Sequence, residues 1–178
     1  MQWLNEPSIW NITDNKIKII STANTDFWRI THYGFIRDNG HFYYQQVTGN
    51  FVAKVKVSGE YRDLYDQAGL MVRLNCNIWL KCGIELVENV QQVSAVVTRD
   101  RSDWSVVPMP NNPSAIWLQI IRLGSAIEVH YSLDEKQYTM LRMAYLTETE
   151  VVDVGIMCAS PTGKGFTTCF EQFEIKAL

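Results

Sequence analysis

The chain has 178 residues, long enough for one domain to bury a sizeable core; 47% are hydrophobic and 20% charged, with none of the signature of disorder. A net charge of −3 with scattered Lys and Arg provides no basic cluster, and no recognition helix is apparent, so a nucleic-acid partner is not expected. The opening Met1-Gln2-Trp3-Leu4-Asn5-Glu6-Pro7 lacks the basic and apolar regions of a signal peptide, and the longest largely apolar runs, such as Ile116–Ile121, are too short to cross a bilayer. A cytoplasmic domain without a membrane partner is the expectation.

Period-2 segments separated by turn residues recur along the chain. In order, the candidate strands are Lys16–Ser21, Gly40–Gln46, Asn50–Ser58, Ala68–Asn75, Ile78–Val87 and Gln91–Thr98. They continue with Ser114–Leu123, Ala126–Ser132, Tyr138–Tyr145, Glu150–Ala159 and Thr167–Lys176. The turns between them include Asp38-Asn39-Gly40, Thr48-Gly49-Asn50, Leu123-Gly124-Ser125 and Ser160-Pro161-Thr162-Gly163. No segment has a convincing helical period. One all-β domain over residues 1–178 follows, with more than about 40% strand. Its fold class is a two-sheet antiparallel sandwich with about five or six strands in each sheet.

Strand alternation then sorts the side chains by face. Ala68, Leu70, Val72 and Leu74 share one face of their strand, as do Leu80, Cys82, Ile84 and Leu86 of the next, and these predict the core. A hairpin through Cys76-Asn77 would bring Gln67, Gly69, Met71 and Arg73 beside Trp79, Lys81, Gly83 and Glu85 on the opposite face. That face reads in two ways. It is either an aromatic platform flanked by polar groups, with the glycines leaving room for a ligand, or an ordinary solvated sheet face carrying a Lys81–Glu85 pair. The cluster Arg101-Ser102-Asp103-Trp104-Ser105 reads as an irregular segment, where Asp103 and Trp104 serve either turn chemistry or ligand contact.

The four cysteines, Cys76, Cys82, Cys158 and Cys169, form no C-x-x-C pair and lie in apolar, strand-like stretches. Reduced, mostly buried thiols are expected. His32, His41 and His130 have no metal-ligand spacing with them, so neither a metal nor another cofactor is expected.

Several motifs occur in a characteristic order: Asp26-Phe27-Trp28, then Asp66-Gln67-Ala68-Gly69-Leu70-Met71-Val72 and Trp79-Leu80-Lys81-Cys82-Gly83-Ile84-Glu85. Ser102-Asp103-Trp104-Ser105, Tyr131-Ser132-Leu133-Asp134 and Cys158-Ala159-Ser160-Pro161 follow, before Phe170 and Phe173. Together they resemble an uncharacterised family of concanavalin A-like domains whose fungal members are called regulation of enolase proteins. The resemblance spans nearly the whole chain and implies a jelly-roll sandwich with one concave face. Leu133-Asp134-Glu135 departs from the Asp-Gly turn expected after Ser132, a change confined to one hairpin.

The superfold hosts lectins and glycan-cleaving enzymes, so fold analogy points toward carbohydrate. A retaining glycosidase needs two carboxylates about 5 Å apart. No strand presents such a pair, and Lys81 on the same strand face as Glu85 should favour the ionised carboxylate over an acid catalyst. Nucleophile motifs are missing as well. The sequence therefore favours a non-catalytic binding module that holds a carbohydrate or sugar-like ligand on the concave sheet face. Its expected binding residues are Gln67, Trp79, Lys81, Glu85, Asp103 and Trp104. The alternative is a regulatory protein-interaction domain with a protein partner. Less favoured is a glycan hydrolase whose second carboxylate, Asp66 or Asp103, comes from another strand or loop.

Overall fold

The computed structural model describes residues 1–178 and contains strands but no helix. Strands make up 66% of the chain, well above the fraction expected. The sixteen strands are β1 (Gln2–Leu4), β2 (Ile9–Thr13), β3 (Lys16–Ile20), β4 (Phe27–Arg29), β5 (Ile36–Asp38), β6 (His41–Thr48), β7 (Phe51–Gly59) and β8 (Gln67–Asn75), then β9 (Ile78–Val87), β10 (Val90–Arg99), β11 (Arg101–Met109), β12 (Ile116–Leu123), β13 (Ala126–Ser132), β14 (Thr139–Tyr145), β15 (Val151–Ala159) and β16 (Thr167–Ala177). No helix is long and apolar enough to cross a membrane.

Two seven-stranded antiparallel sheets form the sandwich, larger than the five or six strands expected for each. The first runs β1-β6-β15-β8-β9-β10-β11 and the second β14-β13-β12-β7-β16-β3-β2. The difference comes mainly from short strands at the sheet edges, β1 and β2, and from β11. That last strand takes in Arg101–Ser105, which the sequence leaves as an irregular segment, and it tolerates Pro108 because it is an edge.

The core between the sheets follows the alternation. Ala68, Leu70, Val72, Leu80 and Ile84 are buried in one cluster with residues such as Val55, Val57, Leu118 and Ile120 of the opposing sheet; Leu86 is buried outside that cluster, and Leu74, expected in the core, is only half-buried near the end of its strand. Cys82 and Cys158 lie in this core, where burial raises both thiol pKa values; Cys169 is half-buried, and Cys76 is exposed in the β8–β9 turn.

The outer face of the first sheet departs from the expectation. It is neither solvated nor an open platform, because β4 and β5 pair into a separate two-stranded ribbon that lies over it. Phe27 and Trp28 of this ribbon pack with Phe42, Met71, Trp79, Val96, Met157 and Ala159 in a second apolar cluster. A two-stranded ribbon is marginal by itself, so docking must stabilise it. Arg73 clamps Asp38 with two bonds of 2.7 Å, the Lys81 ammonium donates to the Phe27 carbonyl at 2.8 Å, and the Ser102 hydroxyl accepts the Arg29 amide at 2.9 Å.

Gly69 and Gly83 also have a different role from the one expected. They face each other across β8 and β9, and a Cβ on either would lie 1.9–2.0 Å from a backbone carbonyl of the neighbouring strand. They permit close strand approach; they do not clear space for a ligand.

Two stability predictions follow. Leu70→Ala or Ile84→Ala should cost about 2–5 kcal/mol in chemical denaturation, through lost transfer energy and a residual cavity. Gly83→Ala should destabilise the domain more than an alanine at exposed Lys18, because the β8 backbone must shift to admit the methyl group; equal midpoints would refute the packing role.

Candidate functional site

The ribbon covers only part of the outer face. At the end of the sheet near Gln67 and Glu85 it leaves a cavity of about 220 Å³. The sheet supplies Gln67 from β8, Lys81 and Glu85 from β9 and Trp104 from β11. The ribbon and its preceding residue supply Asp26, Trp28 and Arg37, and the loop between β4 and β5 supplies Tyr33 and Phe35. Tyr65, Pro161 and Thr162 come from the loops before β8 and after β15.

Lys81 organises the floor. Its ammonium donates to Gln67 Oε1 at 2.5 Å, the Phe27 carbonyl at 2.8 Å and Asp26 Oδ1 at 3.4 Å, which uses all three of its protons. Gln67 Nε2 in turn donates to the Tyr65 carbonyl. Glu85 is buried, and its Oε2 accepts the Ser94 hydroxyl and the Trp104 indole N–H, both at 2.9 Å. Burial raises the Glu85 pKa above its ordinary value; the Lys81 ammonium and the Ser94 bond oppose that shift without cancelling it. The sequence expectation that Lys81 would prevail is thus reversed: desolvation outweighs the neighbouring cation.

Aromatic rings form the wall. Tyr33 stacks on Phe35 with centroids 5.5 Å apart and meets Trp28 edge-on at 5.6 Å, while Tyr65 meets Trp104 edge-on at 6.3 Å. The Tyr33 and Tyr65 hydroxyls join at 2.9 Å and link the two loops; this bond, followed by burial, raises the Tyr33 phenol to about 12. The loops are held in uncommon conformations. Ile30, His32 and Tyr65 have φ of 64°, 63° and 68°, and a β-branched residue such as Ile30 is rarely found there. Such backbone strain clusters at functional sites, where the surrounding structure compensates for it.

Gln67, Lys81, Glu85 and Trp104, four of the residues expected from sequence, therefore share one cavity. Trp79 does not. It is fully buried beneath the ribbon, edge-on to Phe27 at 6.2 Å, and cannot act as an aromatic platform. Asp103 is exposed on β11 outside the cavity, because it alternates with Trp104 along that strand. Asp66 is wholly buried and structural: its Oδ2 accepts the Arg62 and Asp63 amides and its Oδ1 the Ser160 hydroxyl. Neither acid is a second carboxylate beside Glu85. Asp26 is the other carboxylate of the cavity, and it pairs with Lys81.

Sequence reasoning missed Asp26, Trp28, Tyr33, Phe35, Arg37 and Tyr65. The ribbon strands have only three residues each and leave no measurable period. The remaining signal was aromatic density, with Trp28, Tyr33 and Phe35 close together around Gly34.

A family model described as "Protein of unknown function (DUF1349)" matches residues 3–178. A Saccharomyces cerevisiae protein named Regulation of enolase protein 1 is 35% identical over 175 residues, which cover 98% of this chain and 88% of that protein. A crystal structure of a functionally unknown protein from Saccharomyces cerevisiae, also 35% identical, superposes with a TM-score of 0.95 over 99% of this chain and 96% of its own. A mutant of the GH43 protein BlXynB from Bacillus licheniformis is 16% identical with a TM-score of 0.75, covering 97% of this chain but 36% of its own, a likeness that shows the sandwich fold alone. With nearly its full length matched by the family model and by a relative at 35% identity, this chain belongs to the DUF1349 family of proteins of unknown function.

Proposed function

We propose that the domain is a non-catalytic module binding a small carbohydrate or sugar-like ligand in the cavity between the ribbon and the first sheet. The observation that carries this reading is the combination of an aromatic wall, Trp28, Tyr33, Phe35, Tyr65 and Trp104, with a polar floor of Gln67, Asp26 and Glu85. The C–H face of a sugar ring packs on aromatic surface while its hydroxyls pair with amide and carboxylate groups. A volume of about 220 Å³ lies below the usual range for drug-sized ligands, which favours one ring over a chain. We place this function in a reducing, cytoplasmic compartment, in keeping with free Cys82 and Cys158 packed as small hydrophobes.

The name of the yeast relative, Regulation of enolase protein 1, favours a second reading, a regulatory domain with a protein partner. Sedimentation of the domain with enolase separates the two. A complex indifferent to saturating sugar and to cavity substitutions would favour the regulatory role.

The test of the first reading is a calorimetric screen of mono- and oligosaccharides. Trp104 is 38% exposed on an edge strand, so Trp104→Ala should leave the domain folded and weaken a binding sugar at least about tenfold, or 1.4 kcal/mol. Trp79→Ala should instead cost about 3–5 kcal/mol of folding stability. Unchanged sugar affinity in Trp104→Ala would count against the cavity.

A further inference from the structure

The hydrogen-bond inventory of the cavity floor is one-sided. Most of its donors are committed within the protein: Lys81 to Gln67, Phe27 and Asp26, one Gln67 Nε2 proton to Tyr65, and the Ser94 hydroxyl and Trp104 indole to Glu85. Its acceptors are only half used. Glu85 takes both bonds on Oε2 and Asp26 takes its bonds on Oδ1, so Glu85 Oε1 and Asp26 Oδ2 have no protein partner. Glu85 is 7% exposed, and it lines the cavity. Neither oxygen is a buried orphan, so both are open acceptors, and a charged donor makes the stronger bond to a carboxylate oxygen.

From this we infer that the ligand is an amino sugar, its ammonium set against Glu85 and its ring against the aromatic wall. The inference rests on the sugar-binding reading of the same cavity and narrows it to a cationic class. Three features favour a cation over a neutral or anionic sugar. Two carboxylates face the cavity against a Lys81 whose protons are all engaged. Arg37, the other cation there, is engaged within the lining: it donates to the Pro161 carbonyl at 3.1 Å and lies 4.8 Å over Phe35. Rings from Trp28, Tyr33, Tyr65 and Trp104 surround the cavity, and aromatic faces attract ammonium groups. Burial raises the Glu85 pKa, and an ammonium beside it would lower that pKa again. Amine binding should therefore weaken as the pH falls through the raised Glu85 pKa and the carboxylate is protonated, whereas neutral sugar binding should not.

The experiment is isothermal titration of the purified protein at neutral pH with glucosamine, glucose, glucose 6-phosphate and choline, repeated on Glu85→Gln. Glucosamine should bind at least about tenfold tighter than glucose, with the phosphorylated sugar weakest and choline weaker than glucosamine. Glu85→Gln should bring the glucosamine-to-glucose ratio close to one. Equal affinity of the wild type for glucose and glucosamine would overturn the cationic assignment and leave the sugar-binding reading standing. Tightest binding of glucose 6-phosphate, or an unchanged ratio in Glu85→Gln, would do the same. Choline as tight as glucosamine would replace the sugar with a bare ammonium, and silence from both glucose and glucosamine would remove the sugar-binding reading together with this one.

Discussion

A single buried ammonium joins the two parts of this molecule that make a site. Lys81 projects from the outer face of β9, where its charge would be costly in an apolar layer without partners. Its partners come from both sides: Gln67 from the sheet, and Asp26 with the Phe27 carbonyl from the start of the ribbon. Removing one member of such a network leaves the others buried and unpaired, which typically costs more than the net contribution of the pairing. The ribbon's placement over the sheet thus depends on this amine, assisted by the Arg73–Asp38 clamp farther along.

That placement divides the outer face. On one side of Lys81, Phe27, Trp79, Met71 and Met157 close into an apolar layer without room for a ligand. On the other, Glu85 and Gln67 face a cavity walled by loop aromatics. The Tyr33–Tyr65 hydroxyl bond ties the loop of the ribbon to the loop entering β8, so both walls are fixed relative to the floor. Asp66 performs the same service below, anchoring its own loop to Ser160. Polar groups that the sequence offered as ligands or catalysts thus divide between those that face the cavity and those that hold its frame.

The sandwich was legible because alternation over long strands is a strong signal. Leu70, Val72, Leu80 and Ile84 lie in the core for the reason that predicted them. The same period placed Gln67, Lys81 and Glu85 together, and those residues do share the cavity floor. Alternation fails to report what lies on a sheet's second face, so Trp79 read as a platform although a ribbon covers it. It also misplaces residues when a strand goes unrecognised: Asp103 and Trp104 looked like neighbours in a loop, but β11 directs them to opposite sides. The loop residues Tyr33 and Tyr65 were illegible because their positions depend on left-handed backbone at Ile30, His32 and Tyr65, which residue type does not predict.

The most direct test of the docking role is hydrogen exchange on Lys81→Met, which keeps an unbranched side chain one atom shorter and deletes its charge. If the ammonium holds the ribbon in place, amides of Phe27–Arg29 and Ile36–Asp38 should lose protection, while those of β7 and β12 in the opposing sheet keep theirs. Protection unchanged in the ribbon, or lost equally through both sheets, would contradict the account.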